Sequence, residues 1–564
     1  MKKKVFIGVA WPYVNGDIHI GHLAGYLLPA DIFARFNRYI GNDVLMVSGS
    51  DCFGTPITLE ADKRKVHPRK IVDEYHVKNV KLFEKLGISF DLYTKTDTEN
   101  HKQIVQDFFI KLLKAGYIFK KKTDQYYSGI EKRFLPDRYV KGTCPHCSYK
   151  DARGDQCDNC GNIIHPGELK DALSNLTGKP VTLKQTEHYF LNWPQFQEFL
   201  EKYIRKAEGW RSWVLHETRG WLEKGLASRA ITRDLDWGIE IPTEKISKGL
   251  QIEGAENKRI YVWFEAVIGY FSASVEWAEK NKRKWKDFWH DKKSLHAYFM
   301  GKDNLVFHTL FWPAELYGYD KKLHLPDLPV INQFLNLEGQ KFSKSRGITI
   351  DSAYFADTYG LDTLRFYLTL IAPEYTDTNF SWEDFLSKNN DIFIGNFANF
   401  INRTLTLAKG LDFSKTKVGE EISNEVEKLV HEAESNLENT KFRNYAETIL
   451  ALSDFGNKYL SKEEPWFLSA KGGSASGGKL KKEEKFIEVI SNALYIVLAL
   501  ALISKPLLPN LVLKLERMLG VSFEKWDVEN LKKIIKKVKV NQIQPLFKKL
   551  EGEIVEKERR RIGA

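Results

Sequence analysis

Three groups of residues in this 564-residue chain have the types and spacing for chemistry. The stretch "CPHCSYKDARGDQCDNCG" carries Cys144 with Cys147 and Cys157 with Cys160, two Cys-x-x-Cys turns separated by nine residues. Four thiolates so arranged can close a tetrahedral Zn²⁺ site; a disulfide pair or a redox motif is the alternative. With all four coordination positions filled by protein, the expected single ion is structural, and His146 and His165 stand outside it. Near the start, "WPYVNGDIHIGH" places His19 and His22 three apart around Gly21. At a helix start, unpaired N–H groups and the positive end of the dipole attract phosphates, imidazole donors add to them, and Gly21 lets a flat base approach the backbone. Solvated or capping histidines, or a metal pair, are the bland readings. Far downstream, "LNLEGQKFSKSRG" offers Lys341 and Lys344 on a Gly-bounded loop. Two ammonium groups there suit a departing pyrophosphate, or else a solvated basic loop.

These groups must be held by elements that the pattern partly reveals. "KKVFIGVA" reads as a buried strand, "HLAGYLLPADIFARFNRYIG" as a helix stopping at Gly41, and "NDVLMVSGSD" as a second strand. Thr55 followed by Pro56 reads as the next helix cap and first turn. Such alternation predicts a doubly wound parallel α/β sheet with ligands at the carboxyl ends of its strands. From about 117 to 230 the pattern becomes short aromatic strands, cysteine pairs and charged turns, an insertion in one nucleotide-binding domain. "KRIYVWFEAVIGYF" and "LHAYFMGKDN" then resume sheet-like runs. Beyond about 384 the period is helical, interrupted by the Gly/Ser-rich "SAKGGSASGGKLKKEEK", expected as an exposed loop of linker-like composition.

Length implies two to four domains. At 43% hydrophobic and 13% aromatic residues, the chain can build packed interiors, which excludes a dominantly disordered class. The net charge of +11 suits a polyanionic partner or a lysine-rich solvated surface. No long apolar segment or small-residue cleavage pattern follows the basic "MKKK" start, so a mature cytoplasmic protein is expected. The apolar run 490–503 is broken by Ser491 and Asn492 and reads as a buried helix; no membrane partner is expected.

Taken together, His-Ile-Gly-His at 19–22 and Lys-Phe-Ser-Lys-Ser at 341–345 resemble the two signatures of class I aminoacyl-tRNA synthetases. "AWPYVNGDIHIGH", "VSGSDCFGTP", "YVWFEAVIGY" and "GKDNLVFHTLFWPA" are similar to successive pocket segments of the methionyl family within that class. The resemblance implies a Rossmann-like doubly wound parallel sheet split by a zinc-knuckle insertion and followed by an α-helical bundle. Its implied divisions are 1–116 and 231–330 for the catalytic halves, 117–230 for the insertion, 331–384 for the lysine-loop and stem-contact region, and 385–564 for the anticodon-binding domain.

Carried over residue by residue, the resemblance puts His19, His22, Lys341, Lys344 and Arg233 in catalysis. ATP would meet His19, Gly21, His22, Gly301, Asp303, Lys341 and Lys344, with Lys302 in the same turn. Ala10, Trp11, Tyr13, Trp263, Ala266, Tyr270 and His308 would surround the methionine side chain, and Asp51 would pair with its ammonium group. Aromatic rings suit a thioether. Trp11 is bulkier than the family's usual aliphatic residue, and Cys52-Phe53 stands where histidine is common; Cys52 is expected to be a buried filler.

In the helical part, Trp466 in "NKYLSKEEPWFL" resembles the anticodon-reading tryptophan and Asn396 in "IGNFANFINR" is a candidate base contact, an interhelical hydrogen bond being its alternative. The implied reaction joins L-methionine, activated by Mg²⁺-bound ATP, to the 3′ end of tRNA(Met), in a monomer. Rivals are a cysteinyl or other class I synthetase, or a noncatalytic RNA-binding relative. The insertion is too short for an editing domain, and a cysteinyl enzyme needs an open zinc position.

Overall fold

The computed structural model describes residues 2–135, 137–154, 157, 159, 160, 162, 164–342, 347–468 and 478–562, with the backbone alone at 137 and 478–481. Strands β1 (Lys4–Val9), β2 (Asp43–Ser50), β3 (Leu92–Lys95), β4 (Leu295–Gly301) and β5 (Leu328–Asn332) form one sheet in the order β5-β4-β1-β2-β3. Every neighbouring pair is parallel. Nearly unbroken burial along β1 and β2 reflects helices on both faces, which is why these strands read as apolar runs rather than alternations. The return from β1 to β2 starts with a turn at Ile20–His22, loosens to π geometry over Leu23–Leu27 and is regular over Leu28–Tyr39. It ends before Gly41, whose φ of 92° stops the helix.

Two local expectations shift. Thr55 is the first helical residue, and Gly54 is the cap, with extended φ and ψ of −66° and 143°. The segment expected to resume the sheet contributes only a short strand, Lys258–Ile260; Val262–Lys280 is a helix. Its residues 264–274 are buried on every side, so no polar face marks the 3.6-residue period. A helix buried all round and a buried strand look alike in such a run.

Within 117–230 an antiparallel ribbon pairs Ile118–Ser128 with Thr182–Leu191, and helices Gln197–Arg205 and Ser212–Glu223 follow, which the sequence pattern did not indicate. The cysteine turns sit beside a small sheet of Val140–Thr143, Ala152–Arg153 and Lys170–Ser174. That part has its own apolar cluster, built on Tyr126, Leu135, Tyr139, Val140 and Ile164. So small a cluster buries little surface, and a metal held by the four cysteines would add to its folding energy.

The last third is helical: Asn399–Ala408, Glu420–Glu438, Phe442–Glu463, Gly478–Ser504 and Pro509–Leu519 pack together. Lys482–Ser504 is long and apolar enough to cross a membrane, but 83% of its apolar window is buried within the protein, as expected of a core helix. The glycine- and serine-rich segment 469–477 lies outside the described residues. Arg365, almost fully buried, joins the two parts by pairing with Asp31 at 2.7 Å and donating to the carbonyls of Leu507 and Pro506.

Candidate active site

At the carboxyl ends of β1, β2 and β4 lies a cavity of about 1060 Å³. His19 caps the Ile20–His22 turn: its Nδ1 accepts from the Gly21 N–H at 3.2 Å, and the His19 N–H donates to His22 Nδ1 at 3.2 Å. The capping reading and the phosphate reading therefore coexist, with the ring centroids only 3.9 Å apart. A Cβ on Gly21 would stand 2.9 Å from His19 Cε1 and Nδ1, so a side chain there would displace the His19 ring. Among the described residues only the four cysteines form a group of three or more side chains placed to ligate one metal ion.

The downstream loop reaches these histidines through backbone pairing across 330 residues of chain. Ile20 N–H donates to the Ile350 carbonyl at 3.3 Å, and His19 bridges Asp351. Ser352 Oγ adds a bond to the Ile18 carbonyl. Phe342 then stacks on His19, with centroids 4.6 Å apart and planes within 3°. Lys341 consequently lines the same cavity as His19 and His22. Lys344 lies outside the described residues.

Opposite the histidines, Ala10, Trp11 and Tyr13 leave β1 and run beside Asp51 at the end of β2, with Tyr13 bridged to Asp51. Asp51 is only 3% exposed; burial pushes its carboxyl up to about 7, against one stabilising bond from the Phe53 N–H. A buried carboxylate near neutrality is suited to receiving an ammonium ion. Trp263, Ala266 and Tyr270 come from the Val262–Lys280 helix, spaced to face one side, and Trp263 stacks on Phe307 at 4.1 Å. His308 donates from Nδ1 to the Asn304 carbonyl at 2.9 Å, so its Nε2 accepts from the Tyr270 hydroxyl at 2.7 Å. Burial drops His308 to about 4, keeping that tautomer neutral. The wall is thus aromatic and uncharged, with one acid at its rim.

Gly301 and Asp303 line the opening, while Lys302 is held by Asp377 at 2.7 Å. Arg233 projects from the short strand Thr232–Asp234 into the cavity, its guanidinium 4.0 Å from the Tyr261 ring centroid and donating to the Ala230 carbonyl at 3.0 Å. Cys52 is fully buried and its thiol is pushed up by that burial, the behaviour of a packing residue. Phe53 packs on Trp237, whose indole donates to the Cys52 carbonyl at 2.7 Å.

The sequence reading missed what makes room for Trp11. A Cβ on Gly49 would come within 2.6 Å of Trp11 Cε3, and one on Gly269 within 2.8 Å of Trp11 Cζ2. The bulkier residue is accommodated by a slot between two glycines, a relation visible only when β2 and the pocket helix are side by side. Arg138, His165 and Arg229 also reach the cavity from the insertion, over the rim.

The sulfurs of the knuckle lie within 4.8 Å of one another, with Cys144 to Cys160 at 3.9 Å and Cys147 to Cys157 at 3.6 Å. These are too long for disulfides. A tetrahedron of ~2.3 Å Zn–S bonds has edges of about 3.8 Å, which the donor set fits. Asn159 and Asn162 donate to Cys147 and Cys160 Sγ, and the exposed His146 contributes its backbone N–H to Cys144 Sγ.

In the helical part Trp466 is 36% and Phe467 67% exposed, and the Arg403 guanidinium lies 5.1 Å from the Trp466 ring centroid. Arg403 escaped the sequence reading because its helix meets the Pro465–Leu468 turn only in the fold. Asn396 is engaged in the interhelical bonding that was its alternative: Oδ1 accepts from Ser453 Oγ at 2.9 Å and Asn457 Nδ2 at 2.8 Å. Asn399, one turn before Arg403, is exposed instead.

Comparison with known proteins agrees with this geometry. The family model for class I tRNA synthetases (M) matches residues 5–405, and that for the anticodon binding domain of methionyl tRNA ligase matches 412–564. A methionine–tRNA ligase of Dehalococcoides mccartyi is 41% identical over 578 residues, covering 100% of both chains. One from Thermomicrobium roseum is 41% identical over 530 residues, 92% of this chain and 87% of its own length. Among solved structures, Mycobacterium tuberculosis methionyl-tRNA synthetase in complex with methionyl-adenylate superposes with a TM-score of 0.76 at 22% identity, covering 97% of this chain and 100% of that one, a likeness of fold.

Proposed function

The chain belongs to the methionine–tRNA ligases, the methionyl family of class I aminoacyl-tRNA synthetases, and on that premise we propose how its own residues divide the work. The protein activates methionine with ATP and charges tRNA with it. A methionine carboxylate oxygen attacks the α-phosphorus, the α–β anhydride bond breaks and pyrophosphate leaves; a terminal tRNA hydroxyl then attacks the acyl carbon and releases AMP. The observation that carries the division is one cavity shared by His19, His22 and Lys341 on one side and by an uncharged aromatic wall with Asp51 on the other.

His19, Gly21 and His22 receive the triphosphate at the helix start, with Gly301 and Asp303 at the nucleoside end. Lys341 and Lys344 neutralise the departing pyrophosphate, and Arg233 approaches from the insertion side. Catalysis is positioning and charge stabilisation, without a covalent enzyme intermediate. Asp51 holds the ammonium group. Ala10, Trp11, Tyr13, Trp263, Ala266, Tyr270 and His308 enclose the thioether, and the neutral His308–Tyr270 pair leaves no charge that would favour a polar side chain. Mg²⁺ arrives with ATP.

Cys144, Cys147, Cys157 and Cys160 hold one Zn²⁺, which fixes the knuckle whose His165 and Arg138 reach over the cavity. Residues 1–116 and 231–330 serve as the catalytic halves around insertion 117–230, 331–384 carries the lysine loop, and 385–564 presents Trp466, Arg403 and the Asn396-bearing helix to the anticodon of tRNA(Met). The protein works as a cytoplasmic monomer, away from membranes. Methionine-dependent exchange of labelled pyrophosphate into ATP, run beside the other amino acids and followed by charging of a tRNA(Met) transcript, tests the assignment. Exchange with another amino acid alone refutes the pocket, and gel filtration tests the monomer.

A further inference from the structure

The apolar run that forms the pocket wall contains a single acid, and its hydrogen bonding has a direction. Glu265 is fully buried, its Oε2 lying 2.8 Å from His101 Nε2. On the other side of that ring, His101 Nδ1 is 2.8 Å from Ser272 Oγ, and the Ser272 hydroxyl donates to the Gly269 carbonyl at 3.1 Å. With the one hydroxyl hydrogen assigned to the carbonyl, Nδ1 donates to the hydroxyl. A neutral imidazole then offers Nε2 as an acceptor, and only a protonated Glu265 can fill it. Electrostatics agree: burial, with the charges of Asp51 and Glu315 added, holds Glu265 well above the usual carboxylate range, and burial drops His101 to about 3.

That arrangement occupies one Glu265 oxygen. The other, Oε1, is buried and has no hydrogen-bond partner among the described residues, and the same is true of Trp11 Nε1. The two belong to one corner of the site. Trp11 lies over His101, with centroids 6.4 Å apart and planes at 30°. Its Cε2, the carbon that bears Nε1, would be 2.9 Å from a Cβ on Gly269. Gly269 is one helical turn beyond Glu265, on the same face. A donor and an acceptor both left open around the same histidine and helix turn in a dry site can become each other's partner.

We propose that Glu265, kept as a neutral acid by His101, is a positioning residue for Trp11: its open oxygen receives the indole N–H in the methionine-bound enzyme and fixes that ring against the substrate side chain. The proposal rests on reading this cavity as the methionine pocket. It requires an acceptor at position 265, not a negative charge.

Pyrophosphate exchange by the full-length protein, with methionine varied, tests it. Glu265→Gln, which keeps a carbonyl acceptor and a donor for His101, should stay within about threefold of wild type in methionine KM. Glu265→Leu should raise KM about tenfold while kcat changes less than about threefold. In a Trp11→Phe background the same Glu265→Leu change should raise KM no further, because the N–H it served is gone. Should the leucine variant fail to fold, as a thermal melt would show, position 11 is replaced by β-(3-benzothienyl)alanine, which keeps the bicyclic shape without the N–H. About a tenfold rise in KM is then expected. Equal loss in the glutamine and leucine variants, multiplying effects of Glu265→Leu and Trp11→Phe, or an unchanged KM for the benzothienyl protein each overturn the proposal. A wild-type protein with no methionine-dependent exchange would overturn the reading of the pocket instead.

Discussion

Gly49→Ala tests the slot that admits Trp11. The added Cβ would come nearest Trp11 Cζ3 and lie 2.6 Å from Cε3 and Cη2, whereas carbon atoms settle at about 3.5–4.0 Å, so the indole must retreat by more than about 1 Å. On the far side its retreat is limited by Gly269, where even a Cβ would stand 2.8 Å from Cζ2 and 2.9 Å from Cε2. Overpacking of this kind costs about 1–3 kcal/mol in a well-packed interior. The part of that strain relieved by pushing Trp11 into the cavity appears as weaker methionine binding: ~1.4 kcal/mol is a tenfold rise in KM. Pyrophosphate exchange at saturating ATP measures KM, and a thermal melt measures the remainder as lost stability. Trp11→Leu in the same protein removes the clash and should recover most of the lost stability, with a KM equal to that of Trp11→Leu alone. Wild-type KM and melting temperature in Gly49→Ala, or no recovery of stability in the double variant, would refute the slot.

Four further outcomes are expected. Lys344→Ala should lower exchange kcat by about 10²–10³ with methionine Kd unchanged, read by single-turnover adenylate formation and equilibrium dialysis, because its charge acts as pyrophosphate leaves. Asp51 must be ionised to hold an ammonium ion, and its carboxyl is pushed up to about 7; methionine KM should therefore climb as pH falls through 7, and calorimetry below that pH should detect release of about one proton per methionine bound. Asp51→Asn should raise KM and flatten that profile. Metal analysis should find one zinc per chain, and Cys144→Ala should lose it together with the knuckle's fold, seen as protease sensitivity near 140–175. Trp466→Ala and Arg403→Ala should each raise the KM for tRNA about 5- to 100-fold in charging, leaving exchange unaltered.

The protein's stability should also follow Asp51. Its carboxyl titrates higher in the folded chain than in the unfolded one, so the folded state binds the extra proton between the unfolded value and about 7, and Asp51 contributes a loss of stability as pH rises through that window. The site gives up folding stability at neutral pH to have a carboxylate ready for substrate, as polar functional groups in dry pockets commonly do.

Much of this molecule is written locally in the chain. The turn after β1, Gly21 between two histidines and the cysteine turns are each set by a few adjacent residues, because caps, tight turns and chelate spacing are short-range constraints. Even the parallel sheet follows from alternation of apolar runs with helical periods. Long-range packing decided the rest. Val262–Lys280 became a helix in a run with no polar face, since burial on every side erases the period. Trp11 found its place between Gly49 and Gly269, Asn396 turned to Ser453 and Asn457, and Arg403 met Trp466. Glu265 was conspicuous as the one acid in "YVWFEAVIGY", yet its protonation followed only from the order of donors through His101 and Ser272. The sequence by itself determined which chemical groups the chain possesses and which local turns present them. Which groups face one another, and in which charge state, was decided by the tertiary structure, because burial and hydrogen-bond direction belong to neighbours that the chain brings together from hundreds of residues apart.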